Sequence, residues 1–467
     1  MTDRAFTVKV VSQHPKQALA LALALCGLAG VATGGTVTWT GASDNNWATP
    51  ENWSGGLPGS TTDVVFYAEN ASNLSNYLSA ATTVQSLTFS NNAINSVCIS
   101  VSTNAPLKFN NNARVTVDAG HHAILGDGIK SSSIWALTLN SSTWTVAAGA
   151  SLTNAVRMHQ NNSSQTFTKA GEGLLVLAGD SGGSGSISMT WAINAGILRA
   201  AKTGTIGNSG NAITVADGAS LELQAMTSAN PNGILTLNGS GVGGFGALRC
   251  LAGSSTLTSG SGSIQLSSGS AIGVDAGGTL KIDQVIQGSG GLTKVGDGTL
   301  LLTSSTNSYS GATAVSKGTL IVSGGLLASS GISVASNATL AGVGVISNTV
   351  TVQAGGVLSP GTNGVGTLTL AASPVTQGAT LVTTVKADGT CTALNLSGSL
   401  DVSGMTLQVI DTNSLNKAYP YVIVTTTQGT VSGHFSSTNL PQGWDTLSQG
   451  NQMSIGYGKK GTRVSFY

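Results

Sequence analysis

Apolar and small polar residues alternate most clearly over residues 294–322, KVGDGTLLLTSSTNSYSGATAVSKGTLIV. The segment alternates through Leu300 and Leu302, breaks at a run of Thr, Ser and Asn, and alternates again up to Val315. A Lys-Gly turn at 317–318 then leads into a last apolar stretch. Period-two alternation interrupted by Gly, Asn and Ser predicts short strands with one buried face, joined by tight turns. The pattern does not fit a helix.

An earlier segment, residues 169–200, repeats this plan with a different polar middle. Variation confined to the middle is expected if those turns sit at one edge of a stacked array. The equivalent positions are Lys169 and Lys294, Gly171 and Gly296, Gly173 and Gly298, Leu175 and Leu300, Leu177 and Leu302, and Gly196 and Gly318.

Both segments resemble the autotransporter-associated β-strand repeat, whose pattern runs roughly GGLTKxGxGTLxLxGxNTYxGxTxVxxGTLxV. Residues 291–322 follow the pattern closely, and residues 169–198 follow it less well. The resemblance implies an all-β fold, a right-handed single-stranded parallel β-helix, exported to the bacterial surface. It covers the passenger only, because the chain stops at Tyr467 without the outer-membrane barrel of at least about eight strands that a self-translocating protein needs.

A second signature, V-x-x-G-x-x-L, recurs along the chain and supports stacking. Gly and Asn reach positive φ at little cost, so these sites are expected to form one recurring turn between two strands of a coil. The glycines of this signature are Gly149, Gly218, Gly277 and Gly355, and Asn337 takes the same place in a further copy. The repeat glycines expected at turns that exclude a Cβ are Gly173, Gly196, Gly298 and Gly318.

The first 32 residues predict a cleaved signal peptide rather than part of the fold. Arg4, Lys9 and Lys16 give a positive start, and Ala18–Ala32 is an apolar run that ends in small residues. We therefore expect the mature chain to begin near Thr33 and to be secreted.

The remaining chain divides into three predicted regions. Residues 33–110 are expected to form an N-terminal cap and the first strands, residues 111–410 the β-helix body, and residues 411–467 a C-terminal cap. Coils of about 20–27 residues would divide the body into about 11–15 coils. Successive coils would stack at the usual strand spacing of about 4.8 Å. The last cap is expected to end in a hairpin that pairs Met453–Tyr457 with Thr462–Tyr467.

Three tryptophans, Trp39, Trp47 and Trp53, lie close together near the start of the mature chain. The W…NW…PG…D order there also resembles the opening of proteins that carry the same repeat. We expect the three indoles to plug the open end of the solenoid. The alternative is that they contact glycans, because aromatic rings stack on sugars.

Composition narrows the choice of function. Only 8% of residues are charged, and removing Arg4, Lys9, Lys16 and Asp3 leaves 16 basic against 17 acidic residues. This balance gives no electrostatic basis for binding nucleic acid. Hydrophobic residues make up 40% of the chain, which is too many for a disordered one. Cys98, Cys250 and Cys391 are too far apart in sequence for a disulfide framework or a metal pair, and we expect structural burial.

The candidate catalytic groups are sparse. The densest group is His121-His122 with Asp118 and Asp127, which we interpret as a solvated turn rather than a metal or acid–base site. No catalytic residue, cofactor or metal ligand is predicted, although residues distant in sequence can meet on adjacent coils. The body carboxylates considered are Asp118, Asp127, Glu172, Asp180, Asp217, Glu222, Asp275, Asp283 and Asp297.

These observations predict a secreted or cell-surface structural and adhesive protein that is not an enzyme. Its expected partners are cell-surface or extracellular-matrix components, including glycans, with end-to-end association between copies also open. The alternatives are a carbohydrate-active β-helix enzyme and a glycan-binding module without catalysis. Carboxylates and aromatics gathered in one groove would favour the enzyme, an aromatic stripe the binding module, and uniform small polar faces the structural protein.

Overall fold

The computed structural model describes residues 34–458 except 68–70, 91–96, 102–103, 127–136, 157, 161–164, 180–188, 203–205, 207–211, 227–232, 259, 261 and 363. Within that part the chain forms β-strands and three short 3-10 segments, with no α-helix. Accordingly, none of the described segments is a helix long and apolar enough to cross a bilayer. The predicted signal peptide, residues 1–32, lies outside the described residues.

The strands are short and closely spaced. Up to residue 160 they are β1 (Thr36–Trp39), β2 (Trp53–Ser54), β3 (Asp63–Tyr67), β4 (Ser75–Tyr77), β5 (Thr82–Ser90), β6 (Val97–Ser100), β7 (Leu107–Val117), β8 (His122–Leu125), β9 (Leu137–Leu139), β10 (Ser142–Val146), β11 (Ser151–Asn154) and β12 (Met158–Gln160). From there to residue 322 they are β13 (Thr166–Ala170), β14 (Leu174–Leu177), β15 (Thr190–Ile193), β16 (Ile197–Ala200), β17 (Ile213–Val215), β18 (Ser220–Leu223), β19 (Ile234–Gly239), β20 (Leu248–Cys250), β21 (Gly253–Leu257), β22 (Ser263–Val274), β23 (Gly278–Ile282), β24 (Val285–Gly288), β25 (Leu292–Val295), β26 (Thr299–Leu302), β27 (Thr313–Val315) and β28 (Gly318–Val322).

The remaining strands are β29 (Gly325–Leu326), β30 (Ile332–Val334), β31 (Ala338–Gly342), β32 (Val345–Ile346), β33 (Val350–Val352), β34 (Val357–Pro360), β35 (Thr367–Leu370), β36 (Thr380–Thr384), β37 (Ala393–Leu396), β38 (Leu400–Asp401), β39 (Thr406–Ile410), β40 (Tyr421–Thr426), β41 (Val431–Ser432), β42 (Ser437–Thr438), β43 (Trp444–Gln449) and β44 (Gln452–Tyr457). The 3-10 segments are Pro50–Asn52, Val242–Gly244 and Thr412–Ser414.

Successive coils stack through parallel strand pairs. Val64 in β3, for example, lies in register between Val37 in β1 and Leu87 in β5. Parallel pairing of this kind recurs from coil to coil and produces a β-solenoid of about 13 turns. The backbone N–H and C=O groups of one coil are thus paired with the coils on either side. The prediction of an all-β, parallel β-helix is confirmed.

The strands fall into three stacks that run along the solenoid. The first contains β10, β13, β15, β17 and β19, and the second contains β11, β14, β16, β18 and β20. The long strand β22 belongs to both stacks. Its first part pairs with β19 and β24 and continues the first stack, and its last part pairs with β20 and β25 and continues the second. The third stack runs from β21 through β23, β26 and β28 to β42. Along the second stack the coil length varies from 29 residues between Ala123 and Leu152 to 18 between Val334 and Val352.

Inward-facing positions form continuous apolar columns. Outward residues alternate with them along most strands, which is the period-two burial that the sequence predicts. Every member of one such column in the second stack is at most 1% exposed. Its members are Leu152, Leu175, Leu198, Leu221, Leu248 and Ile272.

Antiparallel segments lie at both ends of the solenoid. At the N-terminal end β2 pairs with β1, and at the C-terminal end β44 pairs with β40 and with β43. Parallel stacking continues beyond residue 410, because β40 lies on β37 and β42 on β39. The predicted hairpin is wrong in its partner strand. Met453–Tyr457 pairs with β43 because the chain turns at Gly450, where φ is 59°; Thr462–Tyr467 lies outside the described residues.

The predicted turn glycines are of two physical kinds. Gly149, Gly218, Gly277 and Gly355 lie at φ between 72° and 79°, and Asn337 at 61°. Gly196 and Gly318 combine positive φ with backbone contacts too close for a Cβ. Gly173 and Gly298 are not in the left-handed region. A Cβ on Gly298 would lie 2.3 Å from the Asp275 carbonyl oxygen of the preceding coil, so contact between coils is what excludes a side chain there.

This distinction predicts that replacing glycine by asparagine destabilises the two kinds of site to different degrees. Gly277→Asn should lower the free energy of unfolding by less than about 1 kcal/mol, because the site is open and Asn tolerates positive φ. Gly298→Asn should lower it by about 1–3 kcal/mol, because the coils must move apart. Equilibrium denaturation of the two variants measures the difference. Equal losses of unfolding free energy would contradict the conclusion that contact between coils excludes a side chain at Gly298.

Candidate functional site

Charged side chains gather at one place on the outside of the second stack. Arg199, Glu222 and Arg249 occupy the same position in β16, β18 and β20 and lie in register across three coils. Asp275 follows β22 in the next coil. These four residues, named here the ion ladder, are far apart in sequence. Sequence analysis names only the two carboxylates and treats them as unpaired, so it misses the ladder.

The ladder is closely hydrogen-bonded. Glu222 Oε2 lies 2.7 Å from Arg199 Nη2 and accepts a 2.8 Å bond from its Nε, while Oε1 lies 3.0 Å from Arg249 Nη1. The guanidinium of Arg249 also donates to both oxygens of Asp275 at 2.9 Å. Glu222 is only 1% exposed, so this carboxylate is buried beneath its two partners.

The electrostatics of the ladder are those of a structural brace. Two guanidinium groups balance two carboxylates, and the hydrogen bonds to Asp275 raise the pKa of Arg249 against the effect of burial. A general acid or base must be able to exchange a proton with a substrate. Here all four carboxylate oxygens are engaged by arginine. Among the described residues no group of three or more His, Cys, Asp or Glu is arranged to hold a metal ion.

A glycine-rich loop, residues 239–246, contacts the ladder at Arg249. The hydroxyl of buried Ser220 accepts a hydrogen bond from the N–H of Val242 and donates one to the carbonyl of Gly246, at 2.8 Å each. At the end of the loop, the ring of Phe245 lies 4.9 Å from the guanidinium carbon of Arg249. Phe245 is nevertheless 58% exposed. No motif in the sequence marks this loop, because its role depends on the coil beneath it.

The sequence also singles out a titratable group around His121 and His122. Its two imidazoles do not lie on the same face of the chain. His121 is buried, whereas His122 is exposed and its Nδ1 lies 2.8 Å from the hydroxyl of Ser151. Neighbouring residues of a strand point to opposite sides, which separates the two imidazoles. Asp127, like Asp180, lies outside the described residues.

The three cysteines in the described part of the chain form no disulfide. Cys250 is buried, and Cys98 and Cys391 are partly buried. Burial raises the pKa of Cys250 and raises that of Cys391 to about 11, which disfavours a reactive thiolate.

The three tryptophans are core rather than surface. Trp39, Trp47 and Trp53 are 1%, 3% and 6% exposed and pack with Phe66. Their indole N–H groups also have partners, as with Trp47, which donates to the Asn76 side chain at 2.7 Å. Rings buried in this way offer almost no exposed face for stacking on a sugar, and the burial is consistent with the predicted plugging role.

A buried lysine anchors the turn that opens each repeat. The ammonium of Lys169 donates to the carbonyl oxygens of Ala170, Gly171 and Ala195 at 2.9, 2.6 and 3.1 Å. In the second repeat Lys294 makes the equivalent three bonds, to Val295, Gly296 and Lys317, at 3.0, 2.7 and 3.0 Å.

Each ammonium holds two successive turns together. Burial lowers the pKa of Lys169 and of Lys294 to about 8, and Glu172 and Asp297 partly offset that effect. Both lysines therefore remain mainly protonated at neutral pH and supply three donors to three carbonyls. Sequence comparison of the repeats shows that the lysines are equivalent, but it does not show that they are buried.

The two repeats occupy different faces of the solenoid. Lys169 lies in β13 of the first stack, and its column continues through Ile193 and Val215. Lys294 lies in β25 and pairs with Ile272, in the second-stack column. The second repeat is therefore displaced by one face relative to the first, although the local hydrogen bonds are the same.

The lysine anchor predicts a stability difference between two neighbouring lysines. Lys294→Met should lower the free energy of unfolding by about 1–3 kcal/mol, because the turn carbonyls of Gly296 and Lys317 lose their donor. Lys317→Met is the matched control. Its exposed ammonium pairs only with exposed Asp297, so we expect a change below about 0.5 kcal/mol. Equal denaturation midpoints for the two variants would refute the anchoring role.

Comparison with known proteins agrees with this arrangement. Residues 167–200 and 292–322 match the family model described as Passenger-associated-transport-repeat. These matches include both lysine anchors and confirm the predicted resemblance to autotransporter passenger repeats. No curated protein matches the chain. The chain therefore carries two passenger-associated-transport-repeats within a parallel β-solenoid.

Proposed function

We propose that the protein is a secreted or cell-surface structural and adhesive β-solenoid. The two passenger repeats imply a secreted or surface location. The observation that carries the structural role is an outward column of small, uncharged residues on the third stack. This column places Thr279, Thr299, Thr319 and Thr339 in register on four successive coils.

The same column continues with little change in chemistry. It passes through Val357, Thr380 and Thr406, with no charged residue among these positions. A flat column of methyl and hydroxyl groups has no concave site for a small substrate, whereas it suits a rod that makes many weak contacts. Cell-surface or matrix components are the proposed partners, and nucleic acid is not.

The ion ladder supports the same proposal over an enzyme. It is the place where carboxylates and an aromatic side chain meet, which is the arrangement a carbohydrate-active enzyme would need. Both carboxylates are nevertheless bound to arginine, and Glu222 is buried. We therefore expect no polysaccharide turnover.

Incubation of the purified chain with starch, xylan, polygalacturonate and alginate tests that expectation. No reducing-end or unsaturated product should form above background. Product that disappears in Glu222→Gln but persists in Asp297→Asn, an exposed carboxylate outside the ladder, would establish catalysis and overturn the structural proposal.

Adhesion is tested directly with labelled full-length protein. It should bind saturably to whole bacterial cells or to surfaces coated with extracellular-matrix proteins, and heat-denatured protein should not. Retention no greater than that of the denatured control on every surface would remove the adhesive part of the proposal and leave only a structural role.

End-to-end association is proposed to be suppressed by the terminal caps. The antiparallel segments β2 and β44 cover edges that would otherwise template another chain. Removing residues 33–66 should make the chain associate, as measured by light scattering against the uncut protein. A truncated protein that remains a stable monomer would contradict the capping role of the tryptophan segment.

A further inference from the structure

The loop over the ion ladder holds an aromatic ring in water at a fixed position. Phe245 is a large apolar residue, and exposing it to water forgoes the stabilisation that burial gives. A single exposed hydrophobic residue is ordinary on a protein surface. What distinguishes this one is the construction that holds it, which involves the loop, the guanidinium beneath the ring and the buried carboxylate below that.

The loop requires glycine to take this shape. Gly241, Gly243, Gly244 and Gly246 all have positive φ, between 62° and 124°. A Cβ on Gly241 would lie 2.0 Å from the Gly246 carbonyl oxygen, so the two ends of the loop approach too closely for any side chain. A Cβ on Gly243 would lie 3.0 Å from two carbon atoms of the Phe245 ring. Glycine at 243 therefore leaves uncovered a part of the ring that any other residue would cover.

The support beneath the ring is rigid. The Arg249 guanidinium on which Phe245 lies makes two hydrogen bonds to Asp275 and one to Glu222, so it is held in one orientation. A cation against one side of an aromatic ring is a favourable contact that also fixes the plane of the ring. Preorganisation of this kind lowers the entropy cost of binding a ligand on the exposed side.

Polar groups lie on either side of Arg249 along the solenoid axis. Arg199 and Asp275 have side chains 28% and 31% exposed, so each still reaches solvent while it braces the ladder. Arg199 lies two strand spacings, about 9–10 Å, from Arg249. The surface thus combines an apolar ring with donors and acceptors on both sides and carries no net charge.

We propose that Phe245 is the stacking platform of a glycan-binding site, which takes one pyranose ring of a neutral polysaccharide, with Arg199 and Asp275 as its polar rim. A pyranose ring offers a face of C–H groups to the aromatic ring and hydroxyl groups to the rim. The balanced charge of the ladder gives no preference for an acidic polymer. The proposal rests on the proposed adhesive function and names a partner class and a position for it, in place of Trp39, Trp47 and Trp53.

Affinity electrophoresis of the full-length protein tests this site. The probes are gels that contain laminarin, galactomannan or soluble xylan, with polygalacturonate as the acidic comparison. At least one neutral polymer should retard the wild type, and Phe245→Ala should weaken that retardation by about five- to tenfold. Phe245→Trp should retain it. Tyr419→Ala, which removes an exposed aromatic far along the chain, is the matched control and should bind like the wild type.

The outcomes separate the site from the wider function. Retardation unchanged by Phe245→Ala, or reduced equally by Tyr419→Ala, would overturn the site. Failure of every neutral polymer to retard the wild type, or retardation by polygalacturonate alone, would overturn the ligand class. In either case cell or matrix adhesion that survives Phe245→Ala would leave the adhesive function standing. Melting curves check that each variant folds, and Phe245→Leu serves as a second variant if Phe245→Ala does not.

Discussion

The structure depends on in-register parallel stacking of each coil on the one before it. Hydrogen bonds between coils place residues of equivalent position above one another, so a side chain at one rung meets the same column at the next. Apolar residues therefore line up as continuous inward columns, as with Leu152, Leu175 and Leu198. The same geometry lines up outward residues, which is why threonines form a column on one face and charged residues form the ion ladder on another.

The buried lysines show how a turn is secured within this stack. A coil must change direction at each corner, and carbonyl groups there have no strand partner. One ammonium in each repeat satisfies three of these carbonyls from two consecutive turns. Because the bonds are local to the corner, the same motif works on the first stack at Lys169 and on the second at Lys294. The repeat is therefore a unit of corner structure and not of a particular face.

The ion ladder separates two roles that sequence reasoning treats together. Carboxylates and an aromatic residue do meet on adjacent coils, as an enzyme would require. The carboxylates form ion pairs with arginine, however, and the aromatic ring stays exposed. Glu222 and Asp275 brace the coils through Arg249, and Phe245 remains available to a partner. This arrangement favours binding over catalysis. In the proposed glycan-binding site, the aromatic contact is Phe245 rather than the tryptophans near the N-terminal end of the solenoid.

Local patterns in the sequence determined the strands and the turns at Gly149 and Gly277, because alternation and positive φ are properties of a few consecutive residues. The parallel solenoid was implied by the resemblance of the two repeats to the autotransporter-associated repeat. The tertiary structure decided what depends on contacts between coils. Gly298 excludes a side chain because of the preceding coil, Lys294 is buried because carbonyls from two turns converge on it, and the tryptophans are covered by their neighbours. The sequence could not predict the ion ladder for the same reason, because its residues meet only through contacts between coils. Coil length varies from 18 to 29 residues along a single stack, so sequence spacing alone does not reveal which distant residues share a rung.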